Sequence, residues 1–374
     1  MEALEGIGLF VAGVVVTLAL EHGATWVWRR AILPRWQQYA LKRRTSGLIQ
    51  DGELLMSQTE PVYVAQFEPA GFDPEHIHCR RAGANPSLQA SARAFGIDIP
   101  DDDGVAALIQ DEVERLAADP AAWNGESLSL RGFSIGRFGA KEDAELELVF
   151  APSDHATSRA LKPYWMQERP SVERLTGDRL RHVCAAFSHG FGLNVTVETA
   201  DRQLVLTRRG LATSQQSGRM HISVNEGMRS DDLTPAGDPD PIHTVLRGCA
   251  EELGIVVDRA AVTLHSLILD VHRYEWAMLG HVDLRGTELS ASAIASKRAV
   301  GRAPDDWETD HLEFVPFRPE EVVARLLGGD EWVPHGLVNL ALSGVHRFQS
   351  RGDEIVRALA QRGAGEARKR RPLV

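Results

Sequence analysis

Cysteine is scarce: Cys79, Cys184 and Cys249 are the only three in 374 residues. An odd number at wide spacings excludes a disulfide scaffold and fits a reducing compartment. Positive charge is not in excess either. The formal net charge is −11, which argues against a general nucleic-acid binder, because such a protein needs basic surface to displace counterions from phosphates. His76, His78 and Cys79 lie close together, but no second ligand pair stands at a zinc spacing. Gly132, Gly136 and Gly139 are followed by no Lys-Ser/Thr pair and no immediate helix, so they read as hairpin glycines and not as a phosphate loop. What remains, 43% hydrophobic and 25% charged residues, is ordinary globular composition, and the length suggests two or three units.

One apolar run stands out at the amino end. Residues 6–20 carry no charge, and a helix of that length approaches the roughly 30 Å of bilayer hydrocarbon, with residues 21–27 available to complete the span. Trp26, Trp28 and Trp36 lie among Arg29, Arg30, Arg35, Lys42, Arg43 and Arg44, while Glu2 and Glu5 precede the run. The positive-inside rule then predicts a single-pass anchor in contact with membrane lipid, amino terminus outside and the bulk of the chain cytoplasmic. A cleaved signal peptide is the rival reading, but it calls for a basic start and a small-x-small cleavage site. Gly8, Ala12 and Gly13 would let two such helices approach, giving an expected route to a homo-oligomer.

Residues 46–170 hold no recognisable motif. Residues 61–67 read as a strand, 71–85 as a polar loop, 105–117 as an amphipathic helix with acids in its first turn, and 127–138 and 145–150 as a hairpin. Residues 175–187 read as a helix. The region is either a separate small α+β unit or an extension packed on the sheet that comes after it.

The stretch with chemical content is residues 240–255, DPIHTVLRGCAEELGI. Asp240 before Pro241 is a helix start, and Gly254 is the expected left-handed residue past the end, so a helix should run from Pro241 to Leu253. Ile242, Val245, Leu246, Cys249 and Leu253 form its apolar face, leaving Arg247, Glu251 and Glu252 on or beside the other. Two adjacent carboxylates with an arginine one turn earlier can hold a divalent cation and its phosphates. The same residues can equally be an i, i+4 pair on a solvated helix.

Around this helix, residues 193–207 read as two strands about a turn at Asp201. An apolar segment, 221–224, and a loop with Asn225, Glu226 and Gly227 come next, and strands are expected at 262–271, 276–284 and 312–317. This order resembles the Nudix hydrolase family. Arg247, Cys249, Glu251, Glu252, Gly254 and Ile255 fall on the second half of that family's box. Gly248 replaces the first helix glutamate, and Leu233 and Pro239 occupy the positions of the upstream glycine and glutamate. If Glu226 and Gly227 stand for the glycine-rich turn, residues 229–237 are an insertion.

The resemblance implies an α/β (α+β) fold, a Nudix-like α/β/α sandwich with a mixed sheet. It also implies Mg²⁺ (or Mn²⁺) on Glu251 and Glu252, catalysis through these glutamates, and a nucleotide-like small-molecule ligand. Glu308 resembles the late loop acid that serves some Nudix enzymes as base, with Asp310 and Glu313 as neighbours that could do the same. Arg208 and Arg209, with Arg247 and Glu226, are the candidate ligand contacts, since guanidinium groups fork onto phosphate oxygens. Paired arginines after a strand can equally be solvated. Asp238 and Asp240 are further acids, with Asp240 spoken for as a cap. The expected division is an anchor (1–44), a small α+β region (45–170), a Nudix-like domain (171–350) and a helix end with a basic tail (351–374). Three roles are compatible with this: a Mg²⁺-dependent hydrolase of a nucleoside-diphosphate-linked substrate with a degenerate metal site, an inactive sensor that binds a nucleotide-like ligand, or a scaffold.

Overall fold

The strand at residues 191–198 is buried on both faces along almost its whole length, which marks the centre of a sheet covered from two sides. The computed structural model describes residue 49 and residues 52–57, 60–83, 87–119, 124–138, 143–168, 178–211, 216–305 and 309–369. The expected membrane anchor and Glu308 lie outside the described residues. Among the described residues no helix is long and apolar enough to cross a membrane.

In chain order the elements are β1 (Glu53–Ser57), β2 (Glu60–Phe67), β3 (Ile77–Arg81), α1 (Leu88–Ala94), α2 (Asp102–Ala117), β4 (Glu126–Phe138), β5 (Asp143–Asp154) and α3 (His155–Glu168). Then come β6 (Phe191–Glu198), β7 (Gln203–Arg209), β8 (Met220–Ile222), β9 (Val224–Gly227), α4 (Pro241–Leu253), β10 (Val262–Asp270) and β11 (Glu275–Asp283). The chain closes with α5 (Ala291–Ala299), β12 (Thr309–Pro316), α6 (Pro319–Leu327), α7 (Pro334–Phe348) and α8 (Gly352–Lys369).

The main sheet has the order β1-β2-β10-β11-β6-β7-β12, with β9 on β6 and β8 on β7. It is mixed: β11 and β6 run parallel, whereas β2, β7 and β9 meet their neighbours antiparallel. Alternation along the strands sends Leu193, Val195 and Val197 to one side, where Ile242, Val245, Cys249 and Leu253 of α4 complete the core. On the other side Leu204, Leu206, Ala277 and Leu279 pack under Leu337, Leu340 and Ala341 of α7. Two helical layers thus enclose a mixed sheet, as the fold class required.

The region before residue 170 joins this architecture directly. β2 pairs with β10, Val64 opposite Ile268, so it is a strand of the main sheet. The second sheet, β3-β5-β4, shares the α4-side core through Leu128, Leu146, Leu148 and Phe150, and Phe150 meets Phe191 edge-on at 5.0 Å between ring centroids.

Three local expectations change. Residues 77–81 are a strand and not a loop, because Ile77 pairs with Leu146 across the chain. From residue 178 the expected helix 175–187 is only a short 3₁₀ turn, Asp178–Arg181. Beyond it the backbone N–H groups of Cys184 and Ala185 donate to Tyr274 Oη at 2.6 Å and Ser91 Oγ at 2.8 Å, so tertiary partners replace the helical ones. Helix α3, whose interior contains Pro163, had no recognised signal.

Candidate functional site

Helix α4 begins and ends where its sequence dictates. The Asp240 carboxylate accepts from the N–H groups of Ile242 and His243, and Gly254 takes the left-handed conformation with φ 68°. The same carboxylate receives Arg259 at 2.6 Å. With both ends fixed, the apolar face turns to the sheet and Arg247, Glu251 and Glu252 are presented towards β9 and the loop after it.

Arg247 is the hub of a charged network on this face. Its guanidinium donates to both oxygens of Asp232 at 3.0 and 2.7 Å, to Glu251 at 3.0 Å and to the carbonyl of Gly227 at 2.7 Å. It also lies 2.9 Å from Glu226. Arg229 then forks onto Glu251, at 3.2 and 2.9 Å to its two oxygens. Asp232 is only 1% exposed. It further accepts from Arg229 N at 2.8 Å and Thr244 Oγ1 at 2.9 Å. Burial raises the Asp232 pKa, but these donors outweigh it and hold the carboxyl below its ordinary range. Burial wins at Glu226, whose pKa is raised despite Arg247. Glu252 reaches back from the helix to β9, accepting from Asn225 N at 2.9 Å.

A divalent cation takes one or two carboxylates plus substrate oxygens, and the donor set here meets that requirement poorly. The carboxylate of Glu251 is bridged by two guanidinium groups, and Glu252 is buried against backbone. The position of the missing helix acid is closed: a Cβ on Gly248 would stand 2.7 Å from Val224 Cγ1 and 3.0 Å from Glu226 Cβ. Among the described residues no three acids, histidines or cysteines gather in a way that could hold a metal ion. As placed, the box acids fit arginine and not a metal.

The other expected residues are distributed as follows. Of the four candidate ligand contacts, Arg247 and Glu226 come together. Arg208 instead donates to the carbonyl of Gly218 at 2.8 Å and faces Asp330 at 3.6 Å, and Arg209 lies beside His221. Asp310 accepts from Leu211 N at 3.1 Å, and Glu313 is bound by Arg325. The flanks of residues 306–308 anchor to α4: Asp305 N donates to the carbonyl of Glu251 at 3.1 Å, and Arg298 spans the carbonyls of Glu252 and Thr309. His78 pairs with Glu145 at 3.1 Å. Burial, with Asp240 and Asp238 adding to it, pushes the Cys79 thiol up to about 12, so it is protonated at neutral pH. Sequence reasoning missed Arg229 and Asp232. Both fall in the stretch read as an insertion, and no periodicity ties residue 232 to residue 247.

A cavity of about 290 Å³ opens beside Glu226, between the starts of β6 and β11 and helix α3.

No known family model and no curated protein matches the sequence. Solved structures similar to it include a Nudix hydrolase from Alicyclobacillus acidocaldarius, with 13% identity, 41% of this chain, 90% of that chain and a TM-score of 0.28. The Nudix domain of Shewanella oneidensis NrtR complexed with ADP ribose has 10% identity, 41% and 84% coverage and a TM-score of 0.26. NrtR from the same organism complexed with a 27mer DNA has 12% identity, 47% and 76% coverage and a TM-score of 0.28. In this chain's own residues, a helix capped by Asp240, ended by Gly254 and carrying Arg247, Glu251 and Glu252 packs against a mixed sheet, the arrangement that the sequence resemblance to the Nudix family implies.

Proposed function

We propose that the protein binds a nucleotide-like ligand through its Nudix-like part without metal-dependent turnover, tethered to a membrane by residues 1–44, with the remainder on the cytoplasmic side. One observation carries this reading: Glu251, half of the expected metal pair, is held by Arg229 and Arg247. Breaking a partly buried carboxylate–guanidinium network to admit a cation would forfeit several charge-assisted hydrogen bonds. Gly248 supports it further, because the backbone there has no room for the acid that the family uses.

The hydrolase reading keeps one specific point in its favour. Glu226 and Asp232 approach the same Arg247 as Glu251, so three carboxylates would lie near one another if both arginines swung away. Incubating the protein with ADP-ribose, dinucleoside polyphosphates, NDP-sugars or nucleoside triphosphates, with Mg²⁺ or Mn²⁺, separates the two. Saturable calorimetric binding with no product is expected. Products that vanish in Glu252→Gln would make it an enzyme, and neither binding nor products would leave a scaffold.

A further inference from the structure

We propose that the cavity at the sheet end beside α3 is the ligand site, and that it takes a small molecule with an N–H donor and a single anionic group. This rests on the ligand-binding reading above and assigns that ligand a place and a chemistry.

The walls come from two parts of the chain. His155, Ser158 and Lys162 line the cavity at spacings of three and four along α3, so one helix face supplies them. At the sheet end are Asn194 of β6, on the α7 side, and Glu275 and Trp276 of β11, strands that run parallel and begin side by side. Asn194 is the informative residue. It is 1% exposed, yet its Oδ1 has no hydrogen-bond partner. A buried amide oxygen left without a donor costs about 1–3 kcal/mol, and an N–H brought by a ligand would recover it.

The charge arrangement specifies the rest. Lys162 Nζ lies 2.9 Å from Glu275 Oε1, tying α3 to β11. An anionic ligand group would compete with Glu275 for this ammonium. Arg273 also lines the cavity but is shared between two carboxylates, Asp270 at 2.8 Å and Glu60 at 3.4 Å, so Lys162 is the residue assigned to the anion. Size sets the upper limit: about 290 Å³ is at the small end of the roughly 300–1,000 Å³ that ligand pockets span. That accommodates a nucleoside monophosphate in scale but not a dinucleotide.

The test uses the full-length protein and three probes: AMP, adenosine and inorganic phosphate, titrated calorimetrically. AMP should bind saturably, and Lys162→Ala should weaken it about tenfold or more while leaving adenosine unchanged. Glu275→Gln should strengthen AMP by freeing Lys162, a gain that misfolding cannot produce. Ser158→Trp, which fills the cavity, should abolish binding of both AMP and adenosine without lowering the melting temperature. If AMP binds the wild type and all three variants alike, the cavity assignment is wrong and the ligand-binding reading stands. If AMP and adenosine do not bind the wild type, or inorganic phosphate binds as tightly as AMP, the donor-plus-anion chemistry is overturned. If the wider nucleotide panel is not bound either, the binding reading fails with it.

Discussion

Arg229 and Arg247 reach Glu251 from two elements, a loop and a helix, and together leave its carboxylate no idle oxygen. This is the geometry of a fork onto a carboxylate, which point cations do not reproduce. Arg229 is the more exposed partner, with 38% of its side chain accessible against 13% for Arg247, and its other ion-pair contact, Glu226, stands 4.0 Å away. Its removal is therefore the least disruptive way to uncover Glu251. In Arg229→Ala, Mn²⁺ affinity should rise about tenfold or more over the wild type, measured by titration calorimetry. Equal affinity in the two proteins would show that the guanidinium does not compete for this position.

Helix α4 shows what a sequence discloses at the level of elements. Its limits, its cap and its buried face were legible because each is set by residues within a turn of the feature: Asp240 before Pro241, Gly254 after Leu253, and apolar residues at helical spacing. Asp240→Ala should cost about 1–2 kcal/mol, seen as a lower urea midpoint, most of it from the lost cap. The Arg259 pair adds little, since that arginine is half exposed. By contrast β3 was invisible, because Ile77 to Arg81 becomes a strand only through pairing with residues 146–150. The candidate site divides the same way. Glu251, Glu252 and Arg247 were readable from one helix, whereas Arg229 and Asp232 take part through folding of a loop. The cavity wall on α3 was equally hidden, for His155, Ser158 and Lys162 gain meaning only when placed over β11.

Across the whole molecule, buried histidines set the response to acid. His189 donates from Nε2 to the carbonyl of Ala186 at 2.6 Å and has Nδ1 on Ser153 Oγ at 3.2 Å. Burial pulls it from 6.5 to about 4. Burial likewise brings His346 to about 4, and holds His221 and His265 well below their ordinary value. The folded state keeps these rings neutral while the unfolded chain takes up protons near pH 6.5. Stability should therefore be full above that pH and decline as pH falls towards about 4, with His189 alone worth on the order of 3 kcal/mol. Carboxylates act lower. Asp283, drawn down to about 2 by Arg285, loses its contribution between about pH 4 and 2. Urea midpoints at about pH 7, 5.5 and 4.5 check the histidine window, and a flat profile would contradict it.

The pairing of β2 with β10 determines where this chain can be cut. From Ser266 to Asp270 the backbone of β10 is hydrogen-bonded to residues 62–67, far upstream of the helix that bears the glutamates. A fragment trimmed to the Nudix-like half would carry that row of amides and carbonyls unsatisfied, beside the apolar Leu267, Ile268 and Leu269. Such a raw border invites another molecule's strand. Excision would yield a self-associating piece and not a minimal binding unit.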